Sequence, residues 1–97
     1  MAKYWVFRGS PIGGYSKSLN EARKKGIATI KSTGREFYDI VESDEEPYDW
    51  MMNYKVIGDV AFDQGEFRWY PKSKKKDCRT LNKNGTLGKV VPRPKYW

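Results

Sequence analysis

The sequence predicts an α+β domain, in which a small, antiparallel-rich sheet of four to six strands carries one α-helix on one face. The chain has 97 residues, which are enough for one domain and too few for two. One stretch has apolar residues at helical spacing, whereas several short stretches rich in aromatic and β-branched residues are typical of strands. The resulting order, β-α-β-β-β with a further hairpin as an option, favours an antiparallel sheet covered by one helix.

The first strand and the helix are indicated by local signals. "KYWVFR", residues 3–8, has apolar side chains on both faces, which predicts a central strand. "GSPIGG", residues 9–14, contains three glycines and a proline and predicts a turn that ends this strand. Ser18 and Glu21 form an S-x-x-E capping box, so the helix should begin there, and Gly34 should end it.

The helix should pack one face against the sheet. Its apolar stripe consists of Leu19, Ala22, Ile27 and Ile30. Gly26 lies within this stripe and indicates a close approach to the sheet, since glycine otherwise weakens a helix. Arg23, Lys24 and Lys25 fall mostly away from the stripe, so we expect them to form a basic, solvent-facing surface.

The remaining strands follow in the second half of the chain. Strands are predicted at 35–43, 54–62 and 66–70, and a last hairpin at 78–91 turns around Asn84-Gly85. The acidic stretch 42–49 is expected to be a surface loop. Residues 1–91 then form the domain, and residues 92–97, which contain two prolines, form an extended C-terminal tail.

Positive charge is concentrated near the C-terminus. The chain has a net charge of +7, and residues 68–97 contain ten lysines and arginines but one carboxylate, Asp77. Such a segment favours polyanionic partners. We therefore expect a small binding module that contacts nucleic acid, DNA or RNA, mainly through phosphates and with low sequence specificity.

The candidate nucleic-acid-binding residues combine cations with aromatic rings that could stack on unpaired bases. On a strand Trp69 and Tyr70 point to opposite faces, so at most one alternating set is available to a ligand and the other should be core. The alternative is that Phe67 and Trp69 are core residues beside a solvated lysine loop. The candidates are Arg68, Trp69, Tyr70, Lys72, Lys74, Lys75, Lys76 and Arg79, with Arg23, Lys24 and Lys25 on the helix.

A second candidate site is the glycine-rich segment before the helix, which could bind the phosphate of a small ligand or nucleotide at a helix N-terminus. Its residues are Arg8, Ser10, Gly13, Gly14, Tyr15, Lys17 and Ser18. The segment matches neither G-x-G-x-x-G nor the P-loop pattern. A capped turn explains all of these residues except Arg8, Tyr15 and Lys17, so the question is whether those three side chains converge.

A third interpretation is a protein-interaction or inhibitor module, of the accessory type found in phages and mobile elements. Trp50, Met51 and Met52 lie beside carboxylates and would form an adaptable anchor if exposed. An edge strand could also pair with a second copy to form a homodimer.

The composition argues against other classes of function. The chain has no histidine and one cysteine, Cys78, so we expect no enzyme, no metal site, no cofactor and no internal disulfide. The start of the chain lacks the apolar core of a signal peptide, and no run approaches the ~20 apolar residues that span a membrane. We therefore expect a cytoplasmic protein without a membrane partner.

Overall fold

The computed structural model describes residues 3–47 and 54–97. Within them, one helix packs against a seven-stranded antiparallel sheet, which confirms the α+β class with slightly more strands than expected. The elements are β1 (Lys3–Phe7), β2 (Pro11–Ser16), α1 (Leu19–Thr33), β3 (Phe37–Ser43), β4 (Lys55–Asp63), β5 (Glu66–Pro71), β6 (Cys78–Leu81) and β7 (Leu87–Val91). The spatial order in the sheet is β2-β1-β3-β4-β5-β6-β7, so β2 and β7 are the edges.

The glycine-rich segment forms a strand, and the expected turn over residues 9–14 is wrong. The chain reverses at Gly9, which has a φ of 74°, and β2 then pairs antiparallel with β1. Gly13 and Gly14 have φ values of 68° and 75° and lie where the β1–β2 register shifts. They therefore shape a bulge in an edge strand, where proline and glycine are tolerated. The element order begins β-β-α, where the sequence had indicated β-α.

The ends of α1 match their predicted signals. Ser18 is the N-cap, and its Oγ accepts a hydrogen bond from the backbone N–H of Glu21 (3.1 Å). The Glu21 carboxylate in turn accepts from the backbone N–H of Lys17 (3.2 Å). Gly34 adopts the left-handed conformation (φ 73°), and its N–H donates to the Ile30 carbonyl. Local sequence chemistry thus sets both ends of this helix.

The helix covers one face of the sheet, which we call the helix face. The core there consists of Val6, Ala22, Ile27, Ile30, Tyr38, Ile40, Val60 and Trp69. Gly26 permits the close contact, because a Cβ atom at this position would lie 3.1 Å from Cγ2 of Val60. The expected tight packing of Gly26 on the sheet is therefore observed.

The opposite face is covered by aromatic side chains and by the C-terminal segment. Residues 92–97, expected to extend as a tail, fold back so that the Trp97 ring lies 4.9 Å from that of Tyr70 and 5.7 Å from that of Phe37. The Arg93 guanidinium donates hydrogen bonds to three backbone carbonyls, those of Pro71 (2.9 Å), Ser73 (3.1 Å) and Lys76 (3.0 Å). Arg93 therefore fastens the loop formed by residues 72–77 to the C-terminal segment.

The protein-binding anchor expected from the sequence consists of Trp50, Met51 and Met52. These three residues lie outside the described residues.

Among the residues that are described, no helix is both long enough and apolar enough to cross a membrane.

Candidate nucleic-acid interface

A cleft of about 570 Å³ on the helix face brings together cations from distant parts of the chain. We call it the basic cleft. Its cationic lining consists of Arg23, Lys55, Lys75, Lys76 and Arg79. Two carboxylates, Glu42 and Asp77, also line it. Cations thus outnumber carboxylates in the lining, which favours a negatively charged occupant.

The loop that supplies two of these lysines is held by its backbone. The N–H of Lys72 donates to the carbonyl of Ile57 (2.9 Å), and that of Lys76 donates to the carbonyl of Ser73 (3.2 Å). The three hydrogen bonds from Arg93 hold the same loop from the other side. The backbone of Lys75 and Lys76 is therefore positioned before a ligand arrives, which lowers the entropy cost of binding.

Among the described residues, the cations of the basic cleft form no ion pair, although Lys55 lies opposite Glu42 in the register of β3 and β4. Arg79 is half-buried, and its Nε–H donates to the carbonyl of Gly88 (2.8 Å), which orients the guanidinium while preserving its charge. Lys55, Lys75 and Lys76 are exposed. Between described residues, none of these side chains forms an ion pair with a carboxylate. Their charge therefore remains available to an anionic ligand.

Arg23 does not lie on an exposed basic surface of the helix, as the sequence had suggested. It is only 6% exposed, and its guanidinium lies over the Trp69 ring, 4.6 Å from the centroid. Nη1 donates to Asn20 Oδ1 (2.8 Å) and to the Gly85 carbonyl (3.4 Å), while Nε is buried and has no hydrogen-bond partner among the described residues. Burial lowers the pKa of Arg23. This arginine therefore joins the helix to the β6–β7 turn at the inner wall of the cleft.

Trp69 and Tyr70 are core residues, so the expected base-stacking surface is absent at both. Trp69 is 4% exposed on the helix face, and Tyr70 is 1% exposed on the opposite face. The Tyr70 hydroxyl donates to Asp63 Oδ2 (2.7 Å), and burial together with this bond raises the pKa of Tyr70 to about 12. Trp69 and Tyr70 are buried because the helix covers one face of β5 and Trp97 the other, whereas Phe67 and Arg68 are half-buried.

The other candidate cations are distributed over different surfaces. Lys72 and Lys74 line a cavity on the face opposite the helix. Lys24 and Lys25 border a shallow groove with Tyr15, and Lys25 Nζ donates to the carbonyl of Gly13 (3.0 Å). Arg68 forms an ion pair with Glu66, with 2.8 Å between Nε and Oε2. The structure therefore brings together only part of the predicted cation set.

The glycine-rich segment does not form a phosphate cradle. Arg8 lies over the ring of Phe37 (4.3 Å), whereas Tyr15 packs near Trp5, with 5.7 Å between ring centroids. The Ser18 hydroxyl is engaged in capping, and the Glu21 carboxylate occupies the positive end of the helix, where an anion would bind. Ser10, Gly13 and Gly14 belong to the β1–β2 hairpin. Arg8 and Tyr15, two of the three side chains left unexplained by capping, therefore pack on different rings.

The structure adds residues that the sequence analysis did not select. Lys55 begins β4 and reaches the basic cleft only through the strand order of the sheet. Asp39 and Asp59 stand directly opposite each other on β3 and β4. Burial and the neighbouring Asp39 raise the pKa of Asp59 to about 7, although Trp97 Nε1–H donates to its Oδ2 (2.5 Å). The sequence does not show which residues of β3 and β4 lie opposite each other, so this pair could be identified only from the strand register.

Reactive and metal-binding groups are sparse in the described part of the chain. Cys78 is buried, and burial raises the pKa of its thiol, so the thiolate is disfavoured. No group of three or more potential metal ligands occurs among residues 3–47 and 54–97.

The chain matches no family model, no curated protein and no solved structure.

Proposed function

We propose that this protein binds nucleic acid, DNA or RNA, through the basic cleft, mainly by contacts to phosphates. The observation that carries the proposal is the convergence of Lys55, Lys75, Lys76 and Arg79 on one cleft without ion-pair partners among the described residues. Lysine ammonium groups on long stems suit a chain of phosphates, whose spacing varies, better than a single rigid anion. The net charge of +7 adds a long-range attraction for polyanions.

The same geometry indicates low sequence specificity. Phosphate contacts are independent of sequence, and base readout requires donors, acceptors or rings that reach base edges. Of the two rings that line the cleft, Trp69 is buried and Tyr4 is half-buried, so little stacking surface is available there. We therefore expect an affinity that falls steeply with salt and differs little between sequences.

The test measures the salt dependence of binding to a short fluorescent duplex and a single strand of the same sequence, by anisotropy. The variant Lys75→Gln/Lys76→Gln removes two cations from the basic cleft. Losing two phosphate contacts should reduce the slope of log K against log salt concentration by about 2. The matched control is Lys83→Gln/Lys89→Gln, which removes the same charge from exposed lysines of the β6–β7 hairpin outside the cleft.

Two results would refute the proposal. The first is the absence of binding to either nucleic acid at about 50 mM salt, where phosphate contacts are strong. The second is an equal loss of slope in the two double variants, because net charge rather than the basic cleft would then determine the affinity.

A further inference from the structure

A second cavity lies on the face opposite the helix, between the sheet and the C-terminal segment. We call it the aromatic cavity. Its volume is about 530 Å³, within the range of roughly 300–1,000 Å³ typical of small-molecule sites. Phe37 and Trp97, which are half-buried, line it together with Tyr96, which is 88% exposed, whereas the Tyr70 ring beside Trp97 is buried. Phe37, Trp97 and Tyr96 therefore offer ring surfaces to a flat, unsaturated ligand.

The aromatic cavity contains a pair of carboxyl groups. Asp39 and Asp59 are direct cross-strand partners, and both line the cavity. Burial, with the Asp39 carboxyl group nearby, raises the pKa of Asp59 to about 7. Near neutral pH the pair can thus present a hydroxyl donor beside carboxylate acceptors.

Positive charge lies at the edge of the same cavity. Lys72 and Lys74 line it, are exposed, and form no ion pair with a described carboxylate. Arg93 also lines the cavity, but its guanidinium donates to the backbone carbonyls of the 72–77 loop and of Pro71, so it contributes mainly charge. The aromatic cavity therefore combines an acid pair, ring walls and cations.

These three features select one class of ligand. An alkylammonium would suit the acid pair, but the lysines would repel it. A simple anion would suit the lysines and leave the acid pair and the ring walls without partners. A flat base that presents an N–H donor beside an acceptor can form two hydrogen bonds with a carboxyl group, while the phosphate of the nucleotide faces the lysines.

We propose that the aromatic cavity binds a single nucleotide whose base presents an N–H donor beside a hydrogen-bond acceptor. The base lies against the aromatic walls and hydrogen-bonds to Asp39 and Asp59, and the phosphate contacts Lys72 and Lys74. This site is separate from the basic cleft and does not depend on the function proposed for that cleft. Free nucleotide and a nucleotide within a single strand share this chemistry.

The test follows the indole Nε1–H NMR signal of Trp97, assigned with Trp97→Phe, during titration with adenosine monophosphate and with ribose 5-phosphate. Adenosine monophosphate should shift the signal. Ribose 5-phosphate lacks the base and should bind at least about tenfold more weakly. Inorganic phosphate is the control and should leave the signal in place. Equal affinity for the nucleotide and ribose 5-phosphate, or an equal shift with inorganic phosphate alone, would overturn the proposal.

Two variants examine the two halves of the ligand. Asp59→Asn replaces one member of the acid pair and should weaken binding of adenosine monophosphate by about tenfold, the effect of one lost hydrogen bond to a charged group. Lys72→Gln/Lys74→Gln alters exposed side chains outside the core, so it should fold normally. It should reduce the affinity for the nucleotide to that for adenosine, while the affinity for adenosine stays constant. A nucleotide affinity unchanged in both variants would contradict the assignment.

A further variant distinguishes a free nucleotide from a nucleotide within a single strand, and the aromatic cavity from the basic cleft. Lys75→Gln/Lys76→Gln, which alters the basic cleft, should bind adenosine monophosphate normally. If a short oligoadenylate binds this variant more tightly than the mononucleotide does, as judged from the shift of the Trp97 signal, the nucleotide bound by the cavity belongs to a single strand. A shift by the mononucleotide alone identifies free nucleotide. No shift with either overturns the proposal, whatever the basic cleft binds.

Discussion

The acid pair on β3 and β4 should make the stability of the fold depend on pH. Asp59 faces Asp39 across the strand pair, Trp97 Nε1–H donates to it, and Lys72 attracts it electrostatically. Burial is the main cause that raises its pKa from 3.8 to about 7, and the hydrogen bond and charge of Asp39 add to it. The folded chain therefore retains a proton that the unfolded chain releases above about pH 4.

The sign and the size of the effect follow from this difference. Asp59 contributes its full stabilisation below the unfolded pKa, and this contribution is lost as pH rises through the folded value near 7. A pKa shift from 3.8 to about 7 corresponds to at most about 4 kcal/mol. Asp59 is only partly buried, and solvent screening reduces this to about 1–2 kcal/mol.

The perturbation is Asp59→Asn, which keeps an oxygen acceptor for Trp97 and removes the ionisation. The assay is urea denaturation followed by circular dichroism between about pH 4.5 and 8.5, across the transition. The free energy of unfolding of the natural chain should fall toward high pH by about 1–2 kcal/mol more than that of the variant. Asp44→Asn, at an exposed position after β3, is the control and should follow the natural chain. Parallel curves for the natural chain and Asp59→Asn would refute the reasoning.

Three substitutions examine the packing, each by thermal and urea denaturation. Gly58→Ala should destabilise the fold by about 1–3 kcal/mol, because the new Cβ would lie 2.6 Å from Cζ2 of Trp69; an unchanged stability would contradict this contact. Ser18→Ala removes the N-cap and should cost about 1 kcal/mol, with Ser18→Asp largely restoring it. Arg23→Ala should cost about 2–3 kcal/mol, since it empties the space over Trp69 and leaves the Gly85 carbonyl without its donor. Replacing exposed Lys24 by Ala is the matched control for Arg23, and an equal cost there would argue against a structural role.

The fold was predictable where its signals are local. Ser18 and Glu21 reach each other within one helical turn, so their sequence spacing already specifies the helix start. Strand β2 was not recognised, because Pro11, Gly13 and Gly14 are turn residues by composition and become strand residues only at an edge next to β1. The path of residues 92–97 depends on the surface that Tyr70 and Phe37 present, which exists only after the sheet has formed.

The sequence predicted that the candidate site is positively charged, but it did not predict where the individual cationic side chains lie. The lysine loop was identified from its composition, and two of its lysines do line the basic cleft. Arg23 was assigned to solvent, although it stands four residues from both Leu19 and Ile27 and thus shares their side of the helix. The sequence already shows this four-residue spacing. However, a charged residue within an apolar stripe is ordinarily interpreted as an interruption of the stripe rather than as a buried residue.

The loop of residues 72–77 relates the two surfaces to each other. Lys75 and Lys76 line the basic cleft, whereas Lys72 and Lys74 line the aromatic cavity on the other side of the sheet. The loop can divide its lysines in this way only while its backbone is fixed, and Arg93 fixes it through three carbonyls. Arg93 lies in the C-terminal segment that Trp97 anchors to Asp59 and Tyr70. The anchoring of this segment therefore helps to determine the geometry of both surfaces, although most of the cationic side chains that form them lie elsewhere in the chain.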